Sequence, residues 1–154
     1  MKTLVKILST AFFIGYIPFA PGSFGSVFGI ILYIFVFQHA GQLYPPLILI
    51  FSILGIFISD YAEKKIFKMK DPKEIVIDEV IGILVSFCGV SIKADEYYFI
   101  RLIVVFLFFR LFDILKPFPI KDVQKLPGGT GIVIDDIIAG IYASIISAII
   151  FRFF

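Results

Sequence analysis

Carboxylate side chains stand at unusual places in this sequence of 154 residues. Two adjacent pairs, Asp78-Glu79 and Asp135-Asp136, interrupt runs of isoleucine and valine, and Asp113 lies near the end of another apolar run. Charged groups in such surroundings are costly to bury, and within membranes they are usually functional. If several of them meet where the dielectric constant is low, they repel one another and take up protons unless a cation holds them. The pattern therefore predicts a cation-binding site.

The side chains that are available indicate which cation it would be. The chain has one histidine, His39, and one cysteine, Cys88, so sites built on several imidazoles or thiolates are excluded. Carboxylate oxygens suit Mg²⁺ or Ca²⁺, with Mn²⁺ as a further candidate. Neither His39 nor Cys88 stands in a sequence context that supports nucleophilic catalysis. We therefore expect a divalent metal rather than a nucleophilic side chain to carry the chemistry.

Two glycine-rich turns are candidate phosphate sites. Pro21-Gly22-Ser23-Phe24-Gly25-Ser26 opens the first apolar run, and Pro127-Gly128-Gly129-Thr130-Gly131 opens the last. Backbone N–H groups at the N-terminus of a helix attract anions, although each turn alone is a weak signal. Arg110 and Lys116 add positive charge at the same predicted membrane boundary. Together with the carboxylates, these features favour phosphoryl chemistry over proton transport, with a metal-activated water attacking phosphorus.

The elements that carry these residues are predicted to be membrane helices. Hydrophobic residues make up 60% of the chain, charged residues 17%, and the mean hydropathy is +1.03. A soluble domain has about 45–50% apolar and about 25% charged residues, and a domain this small cannot hide the excess in its core. A soluble enzyme and a disordered chain are thereby excluded, and a net charge of +2 is too small to indicate a nucleic-acid partner. We predict an all-α fold, a small polytopic membrane helix bundle in a single domain, residues 1–154.

About five segments are apolar enough to span a bilayer, which takes about 20 residues. The third is predicted to begin at Asp71, because Asp71, Pro72 and Glu74 match the residue preferences of a capped helix start, and to end near Ser91. The predicted spans cover residues 25–37 (extended by 21–24), 46–59 (with a helical continuation to residue 67), 71–91, 96–115 and 132–154.

The N-terminal residues 2–16 form a further apolar stretch. Lys2 and Lys6 share one face of a helix at this spacing, so we predict an amphipathic helix that lies in the membrane interface. A cleaved signal peptide and a sixth span are the alternatives.

The distribution of basic residues predicts the orientation. With five spans, ten lysines fall on one side of the membrane, and Lys93 and Arg152 fall on the other. The richer side is the cytoplasmic one by the positive-inside rule. The acidic pairs and Asp113 then lie at the cytoplasmic ends of their helices. Other acidic residues at helix ends, Glu63 and Asp95 among them, are expected to face solvent.

Four blocks of this sequence resemble the phosphatidylglycerophosphatase A family of bacterial membrane phosphatases. They occur in the order of that family, and the block around Arg110, Asp113 and Lys116 is distinctive on its own. The first block has Ser23 where threonine is expected, which keeps the hydroxyl. The blocks are Ala20-Pro21-Gly22-Ser23-Phe24-Gly25-Ser26, Asp71-Pro72 with Ile75-Val76-Ile77-Asp78-Glu79-Val80-Ile81-Gly82, Phe109-Arg110-Leu111-Phe112-Asp113-Ile114-Leu115-Lys116-Pro117-Phe118-Pro119-Ile120, and Gly128-Gly129-Thr130-Gly131-Ile132-Val133-Ile134-Asp135-Asp136-Ile137-Ile138-Ala139-Gly140.

The resemblance implies Mg²⁺-dependent removal of the terminal phosphate of phosphatidylglycerophosphate, an anionic phospholipid, with Mn²⁺ as a substitute metal. It implies a multi-pass protein of the bacterial cytoplasmic membrane whose active site faces the cytoplasm. Because neighbouring residues point about 100° apart on a helix, each acidic pair is expected to give one ligand and one supporting group. We assign catalysis to Asp78, Glu79, Asp113, Asp136 and Lys116, metal binding to Asp60, Asp78, Glu79, Asp135 and Asp136, and phosphate binding to Arg110, Lys116, Ser23, Ser26 and Thr130.

Three other functions are weighed against this one. An ion-coupled transporter with intramembrane carboxylates is the main alternative, but its acidic residues should lie near the middle of the bilayer. A phosphotransferase acting between lipid alcohols would carry an Asp-x-x-Asp-Gly signature, which is missing from the sequence. A structural subunit would give no reason for the embedded acids.

Overall fold

Seven α-helices account for the apolar runs of the sequence in a computed structural model, which describes residues 1–90, 92 and 95–153. Short 3-10 turns connect some of them, and no strand occurs in the described part of the chain. A π-helical turn, Ala62–Phe67, continues the third helix. The helices are α1 (Lys2–Ser9), α2 (Pro21–Phe35), α3 (Tyr44–Tyr61), α4 (Ile77–Ser86), α5 (Tyr98–Leu115), α6 (Ile120–Val123) and α7 (Gly129–Ile150).

Three helical stretches of the described chain are long and apolar enough to cross a membrane: Pro21–His39, Gly41–Phe67 and Gly129–Ile150. The 18 residues of α5 include two arginines and an aspartate. The 10 residues of α4 extend for only about 15 Å, half the thickness of a hydrocarbon core. The all-helical prediction is confirmed, whereas the count of five spans is not. Ser91, the predicted end of the third span, lies outside the described residues.

The predicted start of the third helix is wrong. The helix begins after Val76, and Asp71 has φ 47°, outside the helical region. The N–H of Val76 donates to the carbonyl of Ser9 at 2.9 Å, and Gly15 lies so close to the backbone of Glu74 that a side chain there would collide with it. The N-terminal segment therefore holds residues 71–76 in a non-helical path, and this tertiary packing overrides the local capping signal.

The N-terminal helix is shorter than predicted. It ends at Ser9, and three successive residues with positive φ, from Ala11 to Phe13, separate it from a 3-10 turn at Ile14–Tyr16. Left-handed backbone cannot continue a right-handed helix. Ser9 and Thr10 are fully buried against the rest of the molecule. The interfacial position of α1 stays a prediction.

The centre of the molecule is the crossing of α4 and α7. A side chain at Gly140 would collide with the carbonyl oxygen of Gly82, and one at Gly82 would collide with Phe109 and with the carbonyl oxygen of Asp136. Such close approach of two helices needs small residues at the contact. Because the two backbones come so near, the acidic pairs that α4 and α7 carry are brought together.

Candidate active site

Three carboxylates from two helices converge at this crossing. Asp78 and Glu79 lie in the first turn of α4, and Asp136 lies further along α7. One carboxylate oxygen from each of the three lies within 4.8 Å of the others. The prediction that acids distant in the sequence meet at one place is thus realised by these three residues.

The acidic side chains at this site are buried, and some of their oxygens lack hydrogen-bond partners. The exposed fractions of Asp78, Asp135 and Asp136 are 8%, 3% and 3%. Four carboxylates of this site each have one buried oxygen without a hydrogen-bond partner in the described part of the chain: Asp78 Oδ1, Glu79 Oε2, Asp135 Oδ1 and Asp136 Oδ2. Buried oxygens without partners are costly in a folded protein. A cation with oxygen ligands fits this arrangement, because it supplies both the missing partner and the missing positive charge.

A cavity of about 250 Å³ opens beside the cluster. Six carboxylates and two lysines line it, so its field is negative. Three of its polar residues are missing from the predicted site. Asp71 stands in a sequence block that carries the family resemblance, which is the signal that could have found it, whereas Lys73 and Gln124 lie outside the blocks. The charged lining residues are Asp71, Asp78, Glu79, Asp113, Asp135, Asp136, Lys73 and Lys116.

Lys116 points into this cavity from the end of α5. Its backbone has φ 44°, the left-handed region that a lysine rarely adopts, and this turns the chain at the helix end. Its Nζ donates to Asp135 Oδ2 at 2.6 Å and lies 4.0 Å from Asp113 Oδ1. Burial alone would lower the pKa of Lys116, but the hydrogen bond to Asp135 and the surrounding carboxylates outweigh it and raise the pKa above its ordinary value. The lysine side chain is therefore protonated at neutral pH.

Arg110 lies behind the cavity wall. Its Nη1 is 2.8 Å from Asp113 Oδ2, and neither side chain is more than 17% exposed. The N-terminal turn of α2 presses against this pair: a side chain at Gly22 would collide with the Glu79 carboxylate and would lie close to Arg110. Pro21 of the same turn lines the cavity. Arg110 thus offsets the charge of Asp113 from outside the cavity.

Asp60 lies outside the carboxylate cluster and does not line the cavity in the described part of the chain. Its Oδ1 lies 2.6 Å from Lys64 Nζ and accepts a hydrogen bond from the N–H of Gly129 at 3.3 Å. Asp60 thereby occupies the N-terminus of α7, the place where the second glycine-rich turn was expected to bind phosphate. A negative side chain at this position stabilises the helix through its dipole.

The predicted hydroxyl ligands also lie away from the cavity. The Ser26 hydroxyl is buried and donates to the carbonyl of Gly22 at 2.9 Å, within its own helix. Ser23 and Thr130 are half-buried and are not among the residues that line the cavity. Of the predicted phosphate-binding residues, Lys116 is the one that the described structure brings into the cavity.

Two acidic residues that were expected to face solvent have structural partners. Glu63 is only 8% exposed, because the π-helical turn after α3 directs it inward, and its Oε1 accepts a hydrogen bond from the N–H of Asp71 at 3.1 Å. Asp95 receives two hydrogen bonds of 2.9 Å from Nη1 of Arg101, whose side chain is 4% exposed. The expectation of simple solvation is wrong for Glu63, whereas Asp95 is 38% exposed and forms an ion pair as well.

Comparison with known proteins agrees with a phosphate site in a membrane protein. The model of the family described as phosphatidylglycerophosphatase A matches residues 7–151. This chain belongs to that family. It is accordingly a lipid phosphatase and a membrane protein, so the ion-coupled transporter and the structural subunit are set aside. No solved structure matches the chain.

Three curated relatives cover most of this chain. A phosphatidylglycerophosphatase A of Haemophilus influenzae is 34% identical over 92% of this chain and 85% of its own length. One of Escherichia coli is 28% identical over 90% of this chain and 78% of its own length. A protein of Bacteroides thetaiotaomicron, provisionally named phosphatidylinositol-3-phosphatase, is 30% identical over 95% of this chain and 92% of its own length. The relatives therefore share the class of lipid phosphatase but differ in the substrate that their names give.

Proposed function

We propose that this protein hydrolyses the terminal phosphomonoester of phosphatidylglycerophosphate and releases phosphatidylglycerol and inorganic phosphate. The reaction depends on Mg²⁺, which Mn²⁺ can replace, and takes place at the cytoplasmic face of the bacterial inner membrane. Family membership and the names of two relatives support the substrate. The lysine-rich loops at the cavity end of the helices support the cytoplasmic orientation.

The observation that carries the proposal is the cluster of Asp78, Glu79 and Asp136, with its unpartnered oxygens in an acidic cavity. A phosphate dianion cannot enter a cavity lined by six carboxylates and two lysines unless positive charge is added. These three residues would hold the divalent ion. When bound, the ion supplies a Lewis acid for phosphate oxygens and favours deprotonation of a water molecule.

Lys116 both binds the phosphate and stabilises the leaving group. Its ammonium group lies at the cavity wall and, being protonated at neutral pH, attracts the phosphate and stabilises negative charge on the leaving glycerol oxygen. Asp135 holds this side chain in place through the 2.6 Å hydrogen bond. The carboxylate of Asp113 also lies near this ammonium group. Because Asp113 is paired with Arg110, it adds less than a full negative charge to the cavity.

The remaining described surface suits a substrate that stays in the bilayer. Large hydrophobic side chains on α3 and α5 are exposed, among them Leu49, Leu54, Phe57, Ile103 and Leu107. In a membrane these faces contact lipid, while the cavity lies at the helix ends. The acyl chains of the substrate then remain in the membrane and only its headgroup enters the cavity.

The test is release of phosphate from detergent-solubilised phosphatidylglycerophosphate with Mg²⁺ and with a chelator, by wild type and by Asp78→Asn. We expect release that requires the metal and is lost in the variant. Glu96→Gln, an exposed carboxylate at the other end of the molecule, is the matched control and should keep wild-type activity. Normal activity of a folded Asp78→Asn protein, or none from folded, Mg²⁺-loaded wild type, would contradict the proposal.

Phosphatidylinositol 3-phosphate is the second candidate substrate, favoured by the name of the Bacteroides thetaiotaomicron relative. It too carries a phosphomonoester on an alcohol that a phosphodiester joins to diacylglycerol, so the same site chemistry applies. A comparison of kcat/KM for the two lipids on one preparation decides between them, and we expect the larger value for phosphatidylglycerophosphate.

A further inference from the structure

An open groove of about 650 Å³ lies on the surface beside the acidic cavity. Four exposed lysines line it, Lys64, Lys68, Lys70 and Lys125, and we call it the lysine groove. Glu63 is the one acidic side chain that lines it among the described residues. The groove is therefore the electrostatic opposite of the cavity, where carboxylates outnumber lysines.

The positive charge of the lysine groove is only partly compensated. Lys64 and Lys125 form ion pairs of 2.6 Å and 2.7 Å with Asp60 and Asp122, and these pairs are solvent-exposed. Exposed pairs contribute little energy, so a stronger anion can displace them. Lys68 and Lys70 form no ion pair within the described part of the chain. The groove thus keeps cations that are available to a ligand.

The groove is continuous with the acidic cavity. A further opening of about 440 Å³ is lined by Lys70, Asp71, Gln124 and Lys125. It shares the two lysines with the lysine groove and shares Asp71 and Gln124 with the cavity. The loop that separates the two sites is tied down, since the N–H of Asp71 donates to the buried Glu63. A ligand can therefore extend from one site into the other along a fixed edge.

We propose that the lysine groove binds a phosphate group outside the acidic cavity. Its chemistry fits the phosphodiester of the lipid headgroup while the terminal phosphate occupies the cavity, and it equally fits inorganic phosphate as it leaves. In either case the groove concentrates anions next to a cavity whose own carboxylates repel them. The inference rests on the proposed function for its substrate, but the binding itself can be measured without turnover.

The test uses the full-length protein in detergent with the double substitution Lys68→Gln and Lys70→Gln. The matched control is Lys2→Gln with Lys121→Gln, which removes the same charge from exposed lysines outside the groove. Calorimetry without added metal measures binding of inorganic phosphate and of dihexanoyl-phosphatidylglycerol, a soluble diester. Steady-state assays with Mg²⁺ measure KM for phosphatidylglycerophosphate and for p-nitrophenyl phosphate, which has no second phosphate.

If the groove holds the lipid phosphodiester, the groove variant should bind the diester about tenfold more weakly and show a similarly raised KM for phosphatidylglycerophosphate alone. If it holds the departing product, binding of inorganic phosphate should weaken instead, with the lipid KM unchanged. Equal binding of both probes by the groove variant and the control would overturn the proposal. Wild-type protein that binds either probe through these lysines but does not hydrolyse the lipid would contradict the proposed function alone.

Discussion

Each end of α5 has an arginine beside an aspartate, but the two ends differ in how completely their charges are compensated. At one end Arg101 is 4% exposed and bonds both oxygens of Asp95, with its guanidinium group 5.8 Å from the centre of the Phe151 ring. At the other end Arg110 pairs with Asp113, and Lys116 with Asp135, yet four further carboxylates line the cavity beside them. The described arginine and aspartate balance each other at the first end, whereas the described carboxylates are in excess at the second. A balanced pair stabilises the fold, whereas an uncompensated cluster needs a ligand.

The largest expected effect comes from removing one charge at the unbalanced end. Asp136→Asn should lower kcat at least about a thousandfold, because the divalent ion loses a ligand. The phosphate then loses the positive charge that this ion supplies. The variant should still fold, because removing one of several like charges lowers their repulsion. Phosphate release and thermal denaturation with and without Mg²⁺ measure the two properties. Wild-type turnover, or a metal-induced rise in Tm equal to that of wild type, would contradict the assignment.

Lys116 provides the next test at that end. Lys116→Gln should lower kcat about a hundredfold while the protein remains folded, because the cation at the cavity wall is lost. Lys116→Arg keeps the charge and should recover part of the activity. Circular dichroism confirms the fold of both variants, and equal loss in both would show that charge is not what the site requires.

The raised pKa of Lys116 also predicts a pH dependence. Since the folded pKa lies above the ordinary value of 10.5, its ion pairs stabilise the fold fully below that value and lose this contribution as pH rises through the folded pKa. Between pH 7 and 9 the difference in stability between wild type and Lys116→Gln should therefore be constant. Denaturant unfolding measures this difference. If it decreases between pH 7 and 9, the lysine loses its proton at a lower pH than expected.

The balanced end should behave in the opposite way. Arg101→Met removes the buried guanidinium group that bonds Asp95, so we expect a loss of about 2 kcal/mol of unfolding free energy. Turnover per folded molecule should stay at the wild-type value, because the pair lies away from the cavity. Denaturant unfolding measures the first effect, and kcat per folded molecule measures the second. A large fall in kcat at unchanged stability would mean that this end of α5 also takes part in the reaction.

The smallest expected effect concerns Asp60, which the sequence assigns to the metal and the structure pairs with Lys64 and the N-terminus of α7. Asp60→Asn keeps a side-chain acceptor at the helix start, whereas Asp60→Ala removes it and should cost about 1 kcal/mol of stability. Both variants should retain Mg²⁺-dependent turnover within about fivefold of wild type. A loss of activity as large as that of Asp136→Asn would restore Asp60 to the metal site.

Much of the fold follows from local patterns in the sequence. Apolar runs of sufficient length predict α2, α3, α5 and α7, and the predicted end of the fourth span at residue 115 is the observed end of α5. The start of α4 could not be predicted, because the bond between Val76 and Ser9 joins segments far apart in the chain. The number of membrane crossings likewise depends on more than hydropathy, since α4 is apolar but extends for only 10 residues.

For the candidate site, the sequence by itself determined which carboxylates are costly to leave unpaired, because Asp78, Glu79, Asp135 and Asp136 stand in apolar runs that must be buried. It also determined that no site of several imidazoles or thiolates exists within the chain. Only the tertiary structure decided which acids share a cavity. The crossing of α4 and α7 at Gly82 and Gly140 brings Asp78 and Glu79 to Asp136 and leaves Asp60 at the start of α7. Residue type and burial are encoded locally, whereas the distance between two side chains depends on how their helices pack.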